Sequence, residues 1–264
     1  MLVITHRWRG VAAGLLCQHK CQSSFGAEPD VTAPNVAISS IAVLGGTGAL
    51  GSGLALRWAR AGYRVIIGSR DAERAQAKAG ELGALAGVAI AAMSYAEAAA
   101  AADLSVLAVP FRSQEEVLLQ VREALAGKVL VDCTAPLAPP KVARVQMPPE
   151  GSAGIRAQQI LGERVRVVSA FQDVGAKHLH HLDRPIDCDV LVCGDDKEAR
   201  ALVAELVDAA GMRGVIAGPL ANSVAAEAMT SLLIFINKHY GCNEAGIRIT
   251  GLPEAGVRQG EPGA

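Results

Sequence analysis

Aromatic residues make up only 3% of this 264-residue chain. Two Trp, three Tyr and four Phe are too few for a stacking platform that would grip single-stranded nucleic acid. An excess of one charge is also missing: 25 Lys and Arg stand against 26 Asp and Glu, for a net charge of -1. That balance points away from a nucleic-acid surface. Apolar runs are short. Ser231 to Ile236 leads directly into Asn237 and Lys238, so no run reaches membrane length and no membrane span is expected. The six cysteines (Cys17, Cys21, Cys133, Cys188, Cys193 and Cys242) include no C-x-x-C pair. Neither close pair has zinc-site spacing with ligands nearby. His178, His180 and His181 crowd one polar stretch and read as an exposed loop or helix end. No metal is therefore expected, and scattered free thiols suit a reducing, cytoplasmic setting.

What the chain does have is an apolar run broken by glycine, Ile41 to Leu44 followed by Gly45-Gly46-Thr47-Gly48-Ala49-Leu50-Gly51-Ser52-Gly53. It reads as a buried strand, a glycine turn and a helix start, with the helix carrying on over Leu54 to Ala61. Gly46, Gly48 and Gly51 fit G-x-G-x-x-G. In that pattern the first glycine allows a tight turn, the second lets a pyrophosphate reach the backbone, and the third lets helix and strand pack closely. Free N–H groups at the helix start then face the phosphates. A second apolar strand, Arg64 to Gly68, follows, which is the context the motif requires.

The tip of that second strand selects the dinucleotide. NAD enzymes place Asp or Glu there to hold the ribose 2′-OH. This chain has Ser69 and Arg70, with Arg74 one helical turn on. A hydroxyl and two guanidinium groups suit a 2′-phosphate, so NADP(H) is the expected cofactor. Asp71 is expected to cap the next helix rather than to bind ribose.

The remaining sequence alternates strand and helix. Strands are expected over Val88–Ala92, Leu104–Pro110, Val129–Cys133, Val165–Phe171, Val190–Cys193 and Gly214–Ala217. Helices are expected from Asp71, over Gln114–Ala126, over Lys197–Ala210 and over Asn222–Tyr240. Pro136, Pro139, Pro140, Pro148 and Pro149 mark a long loop. The expected class is α/β: a Rossmann-type doubly wound parallel sheet over 38–170, with a smaller, largely helical C-terminal domain over 171–264 that completes the cleft and a dimer interface. Residues 1–37 carry Arg7 and Arg9 before a short apolar run, Val11 to Cys17, cut off by Gln18, His19 and Lys20. They are expected to be a disordered extension, or to lie upstream of the true start. The long helix over 222–240 is apolar on more than one face, which predicts a homodimer built around it.

Several segments together resemble one family, the NADPH-dependent coenzyme F420 reductases (F420:NADP oxidoreductases). They are Leu44 to Gly51, Gly68-Ser69-Arg70, Val109-Pro110-Phe111, Val168 to Phe171, Val192-Cys193-Gly194-Asp195-Asp196, Ala217-Gly218-Pro219-Leu220 and Asn243 to Ile247. The resemblance implies hydride transfer between NADPH and the deazaflavin coenzyme F420, with no catalytic acid or base, because the cofactors carry the chemistry. It assigns NADP binding to Gly46, Thr47, Gly48, Ala49, Leu50, Gly51, Ser69, Arg70 and Arg74. It places Val109, Phe111, Ser113, Ala135 and Ala176 along the cleft between the cofactors, and Gln172, Val174 and Ala245 against the deazaflavin. Phe111 stands where a tryptophan can occur, and Gln172-Asp173-Val174-Gly175 replaces a variant with His and Pro. The nucleotide fold also looks like the cytosolic domain of membrane ferric reductases. That leaves an NADPH-dependent flavin or ferric-chelate reductase, or a non-catalytic NADPH sensor, as alternatives. A hydroxyacid dehydrogenase or imine reductase is disfavoured, since the expected Lys and Asn one turn apart are here the adjacent Asn237 and Lys238.

Overall fold

The computed structural model describes residues 38–184 and 186–252. The expectations for residues 1–37 lie outside them. Eight strands form one sheet: β1 (Ser40–Leu44), β2 (Arg64–Gly68), β3 (Ala91–Met93), β4 (Leu104–Leu107), β5 (Val129–Asp132), β6 (Arg166–Ser169), β7 (Asp189–Gly194) and β8 (Arg213–Ile216), in the order β3-β2-β1-β4-β5-β6-β7-β8. The first six are parallel. Their order is that of a Rossmann fold, with the reversal between β1 and β4. β7 then runs antiparallel to β6, and β8 parallel to β7. The sheet thus continues past residue 170.

Both faces of the sheet are covered, which is why its central strands read as unbroken apolar runs. The helices are α1 (Ala49–Arg60), α2 (Ala72–Ala86), α3 (Tyr95–Ala101), α4 (Gln114–Val121), α5 (Ala153–Leu161), α6 (Lys197–Ala209) and α7 (Ser223–Tyr240). Along β1, Ile41 and Val43 enter the core under α1, α2 and α6, while Ala42 and Leu44 enter the core under α3, α4 and α5. This is the two-residue period of a strand serving two layers. The α1 layer is pinned by polar contacts as well. The buried Trp58 indole donates to Leu206 O at 2.9 Å. Buried Arg57 donates to the carbonyls of His178, Leu179, His181 and Ala210, so α1 holds the segment that follows β6.

Several elements differ from expectation for local reasons. β3 begins at Ala91 rather than Val88, because Gly87 is still closing α2 in a left-handed conformation (φ 75). α4 ends at Val121, five residues early. β6 ends at Ser169, and Phe171 beyond it adopts a positive φ of 74. Two helices were not anticipated: α3, inside the Ala-rich tract, and α5, inside the proline-marked loop. Residues Leu220–Tyr240 are long and apolar enough to cross a membrane by length and composition alone, which corrects the expectation that no segment reaches that length. The helix is nonetheless docked on protein through a polar face. Ser223, Glu227 and Ser231 are buried, and the Glu227 carboxylate accepts from the first N–H groups of α5, Ala153 N at 2.6 Å and Gly154 N at 3.0 Å.

Candidate active site

The glycine turn joins β1 to α1 at the sheet's reversal point. The tight turn falls on Gly45 rather than on Gly46, where the spacing had placed it. Gly45 has φ +90, and a Cβ there would lie 2.5 Å from Ala108 O. Gly51 fills its expected role: a Cβ would lie 2.6 Å from Gly45 O, so only glycine lets α1 come this close to the strand end. Gly48 is the N-cap of α1. It brings no side-chain cap, and the first turn carries no acid. Gly48 and Ala49 are exposed, with Thr47 and Leu50 half-buried. The turn is therefore a backbone cradle whose positive dipole end is open to an anion, and it fits the diphosphate of a dinucleotide.

At the tip of β2, Ser69 is buried, and its Oγ accepts from Asp71 N at 3.2 Å. Asp71 caps α2 by accepting from Arg74 N at 2.9 Å. It is thereby occupied, which leaves the Arg70 and Arg74 side chains at the surface. Arg70 lies 3.9 Å from the Glu116 carboxylate, with both side chains more than half exposed. Such a pair is loose and weak, so the guanidinium remains available to a phosphate.

A cavity of about 500 Å³ opens beside the turn. It gathers Leu50 from α1, Val109 and Phe111 beyond β4, Ala135 beyond β5, and Gln172, Val174 and Ala176 beyond β6. Seven residues named from sequence thus meet in one place, outside the carboxyl ends of the parallel strands where such folds bind ligands. Ser113 and Ala245 do not line it. Ser113 ends the short 3-10 turn 111–113. Ala245 donates its N–H to Asn237 Oδ1 at 2.9 Å, on a tail anchored to β7 by the Asp189–Ile247 and Ile249–Asp189 hydrogen bonds. Gly175, next to the wall residue Val174, faces away from the cavity lining. The direction a side chain would take meets His178 Cδ2 at 3.2 Å and the tail at Glu244 Cα, 3.7 Å away. Its smallness serves packing of the tail.

The cavity wall is held by contacts within the protein. Gln172 is buried, and its amide group donates to Asp132 O and to Ser169 Oγ, both at 2.8 Å. Phe171 packs its ring edge-on against Trp58. Arg112 and Cys133 are the ionisable side chains among the lining residues. Burial, reinforced by neighbouring Asp132, pushes the Cys133 thiol well above its ordinary range. Behind the wall lie buried carboxyls raised mainly by desolvation: Asp132 to about 6 and Glu227 to about 7. Among the described residues, no group of three or more His, Cys, Asp or Glu could hold a metal ion.

Residues 40–136 match the family described as NADP oxidoreductase, coenzyme F420-dependent. The F420-dependent NADP reductase of Methanothermobacter thermautotrophicus is 41% identical over 228 residues, spanning 83% of this chain and 98% of that protein. The chain belongs to the F420-dependent NADP reductase family. The enzyme of the same description from Methanocaldococcus jannaschii is 41% identical over 221 residues, covering 80% of this chain and 98% of its own. A crystal structure from Arthrobacter sp. FB24, described as an F420-dependent NADP reductase, superposes with a TM-score of 0.69 at 28% identity, covering 81% of this chain and all of that one.

Within this family frame, the remaining cavity residues are Pro110, Arg112, Cys133, Leu137, Pro139, Val142, Phe171 and Thr230. Sequence reasoning missed them. The prolines after β5 were legible as a loop, but not as a loop folded back over the strand tips. Arg112 lies between Phe111 and Ser113, two residues named from sequence, and its charge was legible in principle.

Proposed function

We propose that this chain catalyses the reversible reduction of oxidised F420 by NADPH. The observation that carries the reading is the cavity at the strand tips, which reaches the start of α1 at Leu50 and is walled by Leu50, Val109, Phe111, Ala135, Gln172, Val174 and Ala176. When bound, NADPH supplies a hydride that oxidised F420 accepts together with one proton from solvent. The protein's part is positioning and the exclusion of water. The backbone of Gly46, Thr47, Gly48, Ala49, Leu50 and Gly51 receives the diphosphate. Ser69, Arg70 and Arg74 receive the 2′-phosphate. The apolar wall and the clamped Gln172 orient the two rings, with Ser113 and Ala245 assigned to the same cleft. A guanidinium does not give up its proton in proteins and burial holds the Cys133 thiol above its ordinary range, so this reading assigns no side chain as acid or base.

The same reading assigns nucleotide binding to residues 38–170 and completion of the cleft to 171–264. It places the enzyme in the cytoplasm as a homodimer. The supports are the buried free thiols Cys133, Cys188 and Cys193 and the exposed Leu232, Phe235, Ile236 and Tyr240 on α7. The test is anaerobic turnover of NADPH with F420, with FMN and with a ferric chelate. F420 reduction at a kcat/KM well above the others is expected. Equal or better use of FMN or the chelate overturns the assignment.

A further inference from the structure

Phe111 and Arg112 stand on a wall shared by two cavities. One is the cavity just described. The other is more open, about 680 Å³, and is bordered largely by the proline loop, including Pro136, Met147 and Pro148. Phe111, Arg112, Leu137 and Pro139 line both. A molecule longer than one cavity, with its flat end in the first, would continue past Arg112 into the second.

Two arginines border the second cavity, and among the described residues only one is engaged by protein. The Arg156 guanidinium lies 5.2 Å over the Phe111 ring. It pairs with Glu115, lies 3.7 Å from Glu150 and donates to Gln114 Oε1 at 3.4 Å. Its charge is met, and its contact with Phe111 steadies the partition between the cavities. Arg112 is exposed, and among the described residues no side chain or backbone group bonds or ion-pairs with it. The acid of this cavity, Glu150, is turned toward Arg156. The proline walls have no N–H to offer. A cation between low-dielectric walls focuses its field into the space beside it, and a guanidinium fork matches phosphate or carboxylate oxygens.

We infer that Arg112 holds an anionic group on the tail of the second substrate, whose ring lies in the first cavity and whose tail runs into the second. This rests on the F420 reading above and adds a specificity-determining residue to it. The test compares F420 with the bare 8-hydroxy-5-deazaflavin core, which lacks the anionic tail, in steady state at saturating NADPH. Arg112→Ala, Arg112→Lys and Arg112→Glu are compared with the parent chain. The ratio of KM for F420 to KM for the core should rise about tenfold in Arg112→Ala, further in Arg112→Glu, and be partly restored in Arg112→Lys. Added salt should raise the parent's KM for F420 and leave that of Arg112→Ala nearly flat. An unchanged ratio in Arg112→Ala, with the parent active on both acceptors, overturns the role of Arg112 alone. A rise confined to the KM for NADPH also overturns it, by assigning the arginine to the dinucleotide. A parent chain that reduces neither acceptor overturns the F420 reading and this inference with it.

Discussion

The Trp58 ring meets the Phe171 ring edge-on, centroids 5.8 Å apart and planes at 83°. Trp58 belongs to the helix that leaves the glycine turn, and Phe171 follows the strand whose tip forms the far cavity wall. The contact ties the helix after the glycine turn to the segment after β6 that walls the cavity. It also helps to hold Phe171 at φ 74, a backbone conformation that costs about 1 kcal/mol or more for a residue with a Cβ and persists only where its surroundings fix it.

Phe171→Ala should therefore destabilise the fold by about 3–5 kcal/mol through the cavity left behind, read as a fall in the denaturant midpoint. Phe171→Leu keeps most of the volume and loses the aromatic pairing, and should cost less. A midpoint unchanged in Phe171→Ala would mean that the ring is not packed as described.

Arg70→Ala should raise the KM for NADPH by about tenfold or more, the scale of a lost charge-assisted contact, while changing the KM for NADH little. Removing the loosely paired carboxylate in Glu116→Gln should move the KM for NADPH slightly the other way. Steady-state kinetics with both nucleotides decides this. Equal losses for NADPH and NADH in Arg70→Ala would show that no 2′-phosphate contact exists there.

Leu232, Phe235, Ile236 and Tyr240 are exposed on α7; Leu232, Ile236 and Tyr240 follow at four-residue steps, with Phe235 three residues after Leu232, which places them along one stripe of the helix. Phe235 and His239 stack at 5.9 Å beside them. If two copies cover this stripe, Phe235→Glu should yield a monomer by light scattering at micromolar concentration while the parent gives a dimer. A monomeric parent would refute the assembly.

How legible these features were followed their physics. The central strands were readable because a strand buried on both faces must be apolar throughout, as Ile41 to Leu44 are. The nucleotide end was readable because backbone geometry demands glycine at Gly51 and a cap at Asp71. α3 did carry a signal, the capping box Ser94 and Glu97, masked by the surrounding alanines. α5 is framed by Ser152 at its start and Gly162 at its end, but the nearby prolines dominated the reading. The antiparallel turn of β7 against β6 has no local signature, because Val190 to Cys193 would look the same in either direction. Part of the cavity wall was named only through the resemblance. The remainder depends on where the loop 136–149 folds, a long-range outcome that no short window encodes.

The buried carboxyls predict an uncommon pH dependence. Desolvation raises Asp132 from 3.8 to about 6, Asp173 from 3.8 to about 7 and Glu227 from 4.5 to about 7. For an acid whose folded pKa is raised, the folded state holds its proton while the unfolded chain has already lost it. Stability from these groups is then full below the unfolded pKa values and declines as pH climbs toward the folded ones. Glu97, Asp103 and Asp189 shift the opposite way, through hydrogen bonds from Ser94, from Ser39 and Ser40, and from Arg213. Their contribution falls away as pH drops through their lowered values. Stability should therefore be higher near pH 5 than near pH 7.5, measured as denaturant midpoints in one buffer system at fixed ionic strength. Glu227→Gln removes one of the three titrations while keeping an acceptor oxygen toward the start of α5. It should flatten the decline between pH 4.5 and 7. A parent midpoint that rises steadily from pH 5 to 7.5 would mean that these carboxyls are ionised in the folded protein, with the N–H groups of Ala153 and Gly154 outweighing the loss of water around Glu227.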